Sequence, residues 1–213
     1  MSIKTQIIAS AIALAVLTSF ANAQLSPQWK SCTGNPGIDW DVQIKSCSAL
    51  IQSGKETKKN LFVAYIRRGI VYKNKGDFDR AIADYTRATQ IDPKDGLAYN
   101  NRGWPHYKKG EFDLAIADYT MAIALNYKSA LTYQARGQTY AEKKQYDLAI
   151  QDYNETIKID PKDVRCFNSR GYAYLNKGQI DRAVQDYDQA LKLDPNNADA
   201  IRLRADAIAK KTK

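Results

Sequence analysis

Apolar residues recur along most of this chain at spacings of three, four and seven, the stripe that one face of an amphipathic helix buries. Polar turns such as Asn74-Lys75-Gly76-Asp77 break the stripes into short pieces. Laid on itself with a constant shift, the pattern aligns four equal blocks at 62–95, 96–129, 130–163 and 164–197. Each block holds two stripes, so each predicts a helical hairpin. The first helix carries an aromatic (Tyr65, Tyr99, Tyr133, Phe167) and then an Arg-Gly pair (Arg68-Gly69, Arg102-Gly103, Arg136-Gly137, Arg170-Gly171). The second carries Ala81, Ala115, Ala149 or Ala183, with a tyrosine one helical turn later (Tyr85, Tyr119, Tyr153, Tyr187). Glycine inside a helix costs about 1 kcal/mol relative to alanine, so four at one register imply helices that approach closely. Asp92-Pro93, Asp160-Pro161 and Asp194-Pro195 end the second helices, because the residue before proline is pushed out of the α region.

These blocks resemble bacterial-style tetratricopeptide repeats (TPRs), with the pattern NRGxAYxxKGxFDxAIxDYxxAIxLDP, over residues 62 to 197. The resemblance implies an all-α fold, a right-handed superhelical solenoid of antiparallel helix hairpins whose first helices line a concave groove for peptides or protein segments. It gives TPR 1 at 62–95, TPR 2 at 96–129, TPR 3 at 130–163 and TPR 4 at 164–197. A stacked array must cover its terminal apolar faces. Residues 198–213 fit a C-terminal capping helix, and 24–61 an N-terminal segment with one capping helix from Trp40 to Ser53. Cys47 lies one block length before Ala81, which reads as the relic of an earlier hairpin.

On this resemblance the groove is built from Val63, Ile66 and Ile70; Asn100, Asn101, Trp104 and Tyr107; Leu131, Gln134 and Gln138; and Arg165, Asn168, Tyr172 and Leu175. Aromatics beside amides suit a ligand whose backbone is hydrogen-bonded while its apolar side chains are stacked. One family subtype binds the carboxylate tails of chaperones through Lys, Asn and Arg. This chain has Ile66, Ile70, Leu131 and Ala135 there and keeps only Asn101, so that activity is not expected.

Before the blocks, Lys4, an apolar run from Ile7 to Phe20 and Ala21-Asn22-Ala23 form the pattern of a secretory signal peptide over residues 1–23, cleaved after Ala23. The run is shorter than the roughly 20 residues that cross a bilayer, and no transmembrane segment is expected. Removing residues 1–23 takes away one lysine and no acid, so the formal charge falls from +9 to +8. This excess favours acidic proteins or an anionic envelope component such as a glycolipid, a polysaccharide or membrane head groups. No nucleic-acid partner is expected, since no basic run is interleaved with stacking aromatics. In an exported chain the three cysteines point to one bridge, Cys32 with Cys47 across a Gly/Pro turn, and a buried free thiol at Cys166.

Chemistry is sparse. His106 is the single histidine, and Asp84, Asp118, Asp152 and Asp186 each follow the arginine of their block at one fixed spacing, a repeated and therefore structural pattern. No catalytic residue, metal site or cofactor is expected. The one local violation is Trp104-Pro105-His106, with proline inside a helix and, later in that block, Tyr127 where its siblings have proline. Two readings stand: a drifted repeat tolerated by its neighbours, or a kink that tilts Trp104 into the groove. The chain is thus expected to be a non-catalytic interaction scaffold of the bacterial periplasm or cell exterior, holding a segment of a partner protein.

Overall fold

The computed structural model describes residues 26–34 and 38–211. The expected signal peptide lies outside the described residues, as do Asn35, Pro36 and Gly37 of the turn between the bridged cysteines. The described residues form eleven helices and no strand, an all-α repeat solenoid: α1 (Pro27–Thr33), α2 (Trp40–Gln52), α3 (Lys58–Asn74), α4 (Phe78–Ile91), α5 (Gly96–Lys108), α6 (Phe112–Ala124), α7 (Ala130–Glu142), α8 (Tyr146–Ile159), α9 (Val164–Asn176), α10 (Ile180–Leu193) and α11 (Ala198–Lys211). The pairs α3–α4, α5–α6, α7–α8 and α9–α10 are the four hairpins, and each packs on the next.

The repeated residues explain the packing. A methyl group on Gly69, Gly103, Gly137 or Gly171 would stand 2.7, 2.6, 2.9 or 2.7 Å from the ring of Tyr85, Tyr119, Tyr153 or Tyr187. These rings are almost wholly buried, each lying against bare glycine backbone of the facing helix. The column Ala64, Ala98, Thr132 and Cys166 is fully buried where successive hairpins meet, and it continues into Ala200. Burial pushes the Cys166 thiol up to about 12, so it stays a neutral packing group.

Arginines tie the stack together. Within each hairpin Arg68, Arg102, Arg136 and Arg170 grip Asp84, Asp118, Asp152 and Asp186 with both Nε and Nη2 at 2.6 to 2.9 Å. The remaining Nη1 donates to the preceding hairpin, to Ser48, Thr86, Thr120 and Asn154 respectively. Each guanidinium also sits over one or two aromatic rings of its own helix, as Arg102 does over Tyr99 and Arg136 over Tyr133 and Tyr140. A second, exposed series of ion pairs crosses the same junctions: Lys75–Asp41, Lys109–Asp79, Lys143–Asp113, Lys177–Asp147 and Lys211–Asp181.

Both series place α11 in the register of a first helix, one block after α9. Arg204 bonds Asp188 across 16 residues, and Lys211 meets Asp181 across 30, as Lys177 meets Asp147. Residues Ile201 and Ile208, which a second helix would cover, are 51% and 38% exposed.

At the other end the same links correct the expected alignment. Lys75 reaches Asp41 across 34 residues instead of 30, and Arg68 reaches Ser48 across 20 instead of 16. Helix α2 is therefore set back by one helical turn, which matches the extra turn at the start of α3, where Thr57 accepts from the Asn60 N–H as cap. Cys47 thus stands level with Tyr85 rather than Ala81. The Cys32–Cys47 disulfide, fully buried, occupies the slot that a glycine–tyrosine contact fills in the hairpins.

Candidate functional site

First helices of the hairpins present one face to the concave side, and the short turns between hairpins hold those faces side by side. Two depressions run along this surface. The larger, about 750 Å³, is lined by Gln134, Gln138, Arg165, Asn168 and Tyr172 together with Glu142, Lys144, Tyr146, Tyr153, Asp199, Arg202 and Leu203 among others. The smaller, about 320 Å³, is lined by Asn100, Asn101, Trp104, Gln134, Gln138 and Arg165, with Lys73, Tyr119, Leu131 and Ala135. Gln134, Gln138 and Arg165 belong to both, so the depressions adjoin and form one groove.

Nine of the residues expected at the groove line it; Val63, Ile66, Ile70, Tyr107 and Leu175 do not, Val63 being half-buried and Leu175 packed against the cluster of Ala183, Tyr187 and Ala207. Ile66 is 5% exposed and packs with Tyr72, Ala81, Tyr85 and Ala98, offering almost no surface to a ligand. Ile70 is half-buried against the same cluster. Tyr107 stands behind the rim, stacked on Trp104 at 5.5 Å, accepting from Gln138 Nε2 at 2.9 Å and donating to Glu142 at 3.2 Å. Burial, and then the nearby Glu142 carboxylate, hold its phenol above the ordinary tyrosine range.

Several of the amides are already engaged. Asn100 Oδ1 accepts from Thr132 at 2.9 Å, Gln134 Nε2 donates to Asp163 at 2.9 Å, and Asn168 Nδ2 donates to Asn197 at 3.1 Å. Asp163 and Asn197 themselves accept the Cys166 and Ala200 N–H groups at the starts of α9 and α11. These groove amides therefore brace the first turn of the next hairpin, a use invisible in the spacing because amide and partner lie near opposite ends of a block. The groups left facing outward are Trp104 (38% exposed), Tyr172 (48% exposed), Gln138, Leu131 and Arg165, whose side chain is 76% exposed.

Helix α5 runs through Pro105 without a break, and Pro105 is buried. Trp104 shares its register with Ile70, Gln138 and Tyr172, so its place in the groove follows from the repeat and needs no kink. His106 takes the position of Tyr72, Tyr140 and Tyr174, turned inward. Its Nδ1 lies 2.6 Å from Glu111 Oε2 and its Nε2 lies 3.8 Å from Asp118. The missing Asp-Pro stop of this hairpin is replaced by Asn126, left-handed at φ 65°, and by Tyr127, whose N–H reaches back to the Ala122 carbonyl. Tyr127 then rests on Gly96, where a Cβ would come within 2.7 Å of it. The second hairpin is thus irregular but locally satisfied.

The contribution of Asp199, Arg202 and Leu203 was missed, since α11 reads as a cap. Its signal was present in the sequence: these residues follow Arg165, Asn168 and Ser169 by one block length. Among the described residues no three His, Cys, Asp or Glu side chains gather in a way that could hold a metal ion, and no helix is long and apolar enough to cross a membrane.

Comparison with known proteins agrees with this architecture. Residues 62–95 and 164–197 match the model of the tetratricopeptide repeat, and residues 137–178 match a second TPR repeat model. Tetratricopeptide repeats are thus shown for these stretches of the chain. A crystal structure of MamA is 29% identical over 75% of this chain and 91% of its own, with a TM-score of 0.68. YrrB, a TPR protein with an unusual peptide-binding site, is 20% identical over 79% of this chain and 85% of its own, at 0.69. PilF of Pseudomonas aeruginosa is 24% identical over 74% and 72%, at 0.64. The last two likenesses are of fold alone. No curated protein matches the chain.

Proposed function

We propose that this tetratricopeptide-repeat chain is a non-catalytic scaffold of a bacterial cell envelope that holds a segment of a partner protein in its concave groove. The observation that carries this reading is the pair of adjoining depressions in which exposed Trp104 and Tyr172 rings stand beside amides and cations. Flat rings in a concave site give apolar anchorage at small entropic cost, and polar groups around them can pair with an extended backbone. YrrB, similar in fold, has a peptide-binding site. Export is supported by the signal pattern of residues 1–23 and by the Cys32–Cys47 disulfide, a bond that persists in oxidising compartments.

The test has two stages. Expressed in a Gram-negative host with its native N-terminus, the chain is expected in the periplasmic extract with the intact mass of a protein beginning at Gln24; retention of residues 1–23 would refute export. The purified chain is then presented with an array of short synthetic peptides. Captured peptides are expected to lose about tenfold or more in affinity on Trp104→Ala plus Tyr172→Ala, a loss of at least about 1.4 kcal/mol. A binder of anionic envelope components through the basic surface would behave differently. Its affinity would collapse as salt rises and survive the double substitution.

A further inference from the structure

The first helix of each hairpin ends in the same way. A residue in the left-handed conformation lets the following N–H bond back to a carbonyl of the last helical turn: Asp77 to Tyr72, Glu111 to His106, Gln145 to Tyr140 and Gln179 to Tyr174. In three hairpins that residue is glycine, with Gly76, Gly110 and Gly178 at φ 79°, 77° and 74°. In the third hairpin it is Lys144, at φ 58°. A side chain there crowds its own following carbonyl, and lysine has no local hydrogen bond to offset the strain as asparagine does. A Cβ at any of the three glycines would meet nothing within 4 Å. Space is available in every hairpin, and only the third accepts the backbone strain to place a long cation there. Strained residues of this kind persist where they serve a site.

The site is at hand. Lys144 lines the larger depression, and its ammonium makes no ion pair or hydrogen bond within the described chain. Its neighbour Lys143 is tied to Asp113. The charged groups of the depression are Lys144, Arg165 and Arg202 against Glu142 and Asp199. Glu142 accepts from Tyr107, and Asp199 pairs with Arg202 at 3.4 Å. Arg165 has only a 3.7 Å approach to Asp163, a carboxylate already taken by Gln134 and the start of α9. Two cations, Lys144 and Arg165, therefore face the groove beside Tyr146 and Tyr172 without a committed counter-charge.

We infer that Lys144 anchors a carboxylate of the bound segment, so that this half of the groove selects acidic peptides carrying Asp or Glu beside an apolar or aromatic residue. The inference rests on the groove reading above and goes further, naming the chemistry of the partner. It is tested by replacing the lysine with the residue its siblings have. On the peptide array the wild-type chain is expected to enrich Asp- and Glu-containing peptides. Lys144→Gly is expected to bind those about tenfold more weakly and neutral peptides equally well, a change worth about 1.4 kcal/mol. Its melting temperature is expected to rise by about 2 °C as the strain is relieved. Gly178→Lys, which adds the same strain away from the groove, should lower the melting temperature and leave peptide binding as it was.

Unchanged acidic-peptide affinity in Lys144→Gly, or capture without acidic preference, overturns the inference and leaves the groove reading intact. Capture of no peptide by the wild type brings down both. Vesicles containing phosphatidylglycerol are run in parallel. If Lys144→Gly weakens vesicle binding and spares the peptides, the lysine serves a lipid surface and the inference fails.

Discussion

Arg136 illustrates how much one side chain does in this stack. It holds Asp152 with two hydrogen bonds, reaches Thr120 in the previous hairpin with a third, and lies over Tyr133 and Tyr140. Asp152 is nearly buried, and desolvation raises its carboxyl pKa in spite of the arginine. Leucine at 136 would leave that carboxylate buried without its cation, which costs about 3 to 5 kcal/mol. The measurement is urea unfolding at two pH values. A carboxyl whose folded pKa is raised contributes stability when protonated, below its unfolded value, and loses that contribution as pH rises through the folded value. Without Arg136 the folded pKa moves higher still. The loss in Arg136→Leu is therefore expected in full at neutral pH and to shrink as pH falls toward the ordinary aspartate range. Equal stability to wild type at neutral pH would show that the Arg–Asp row does not hold the hairpins. Gly103 shows the complementary constraint, since the Tyr119 ring occupies the place of its missing Cβ.

Among helices, the pair least like the rest is α1 and α2. Their disulfide closes a sequence separation of 15, which in the chain-entropy model stabilises by about 3 kcal/mol. Reduction is expected to remove most of that, and hydrogen exchange should locate the loss: amides of α1 and α2 would exchange faster while those of α7 to α10 keep their protection. Uniform acceleration along the chain would contradict a local staple. The hairpins themselves were legible in the sequence because the glycines, tyrosines and Asp-Pro stops repeat at one period, and so were most of the groove residues. The rest was hidden for definite reasons. Ile66 shares the groove register, but an aliphatic side chain there packs into the Tyr85 cluster, whereas Asn100, Gln134 and Asn168 stay half-buried and hydrogen-bond toward the next hairpin. The α2 register could not be read by subtracting one block length, because an added helical turn in α3 leaves no gap in the hydrophobic pattern. Lys144 looked like an ordinary surface lysine, since only the backbone angle at 144 sets it apart.

Across the whole molecule, each junction between the four hairpins uses the same two fastenings, a largely buried arginine and a lysine nearer the surface, each reaching back to the preceding hairpin. Solenoids of this kind derive stability from nearest-neighbour interfaces rather than from a single central core. Helix α11 makes the same backward links, Arg204 to Asp188 and Lys211 to Asp181, and leaves Ile201 and Ile208 exposed on its other side. Tandem duplication of one regular repeat unit within the array would carry both fastenings with it. Each unit added or removed in this way would add or remove one column of the groove. Substitutions such as those at Trp104 and Lys144 set one column apart from its siblings.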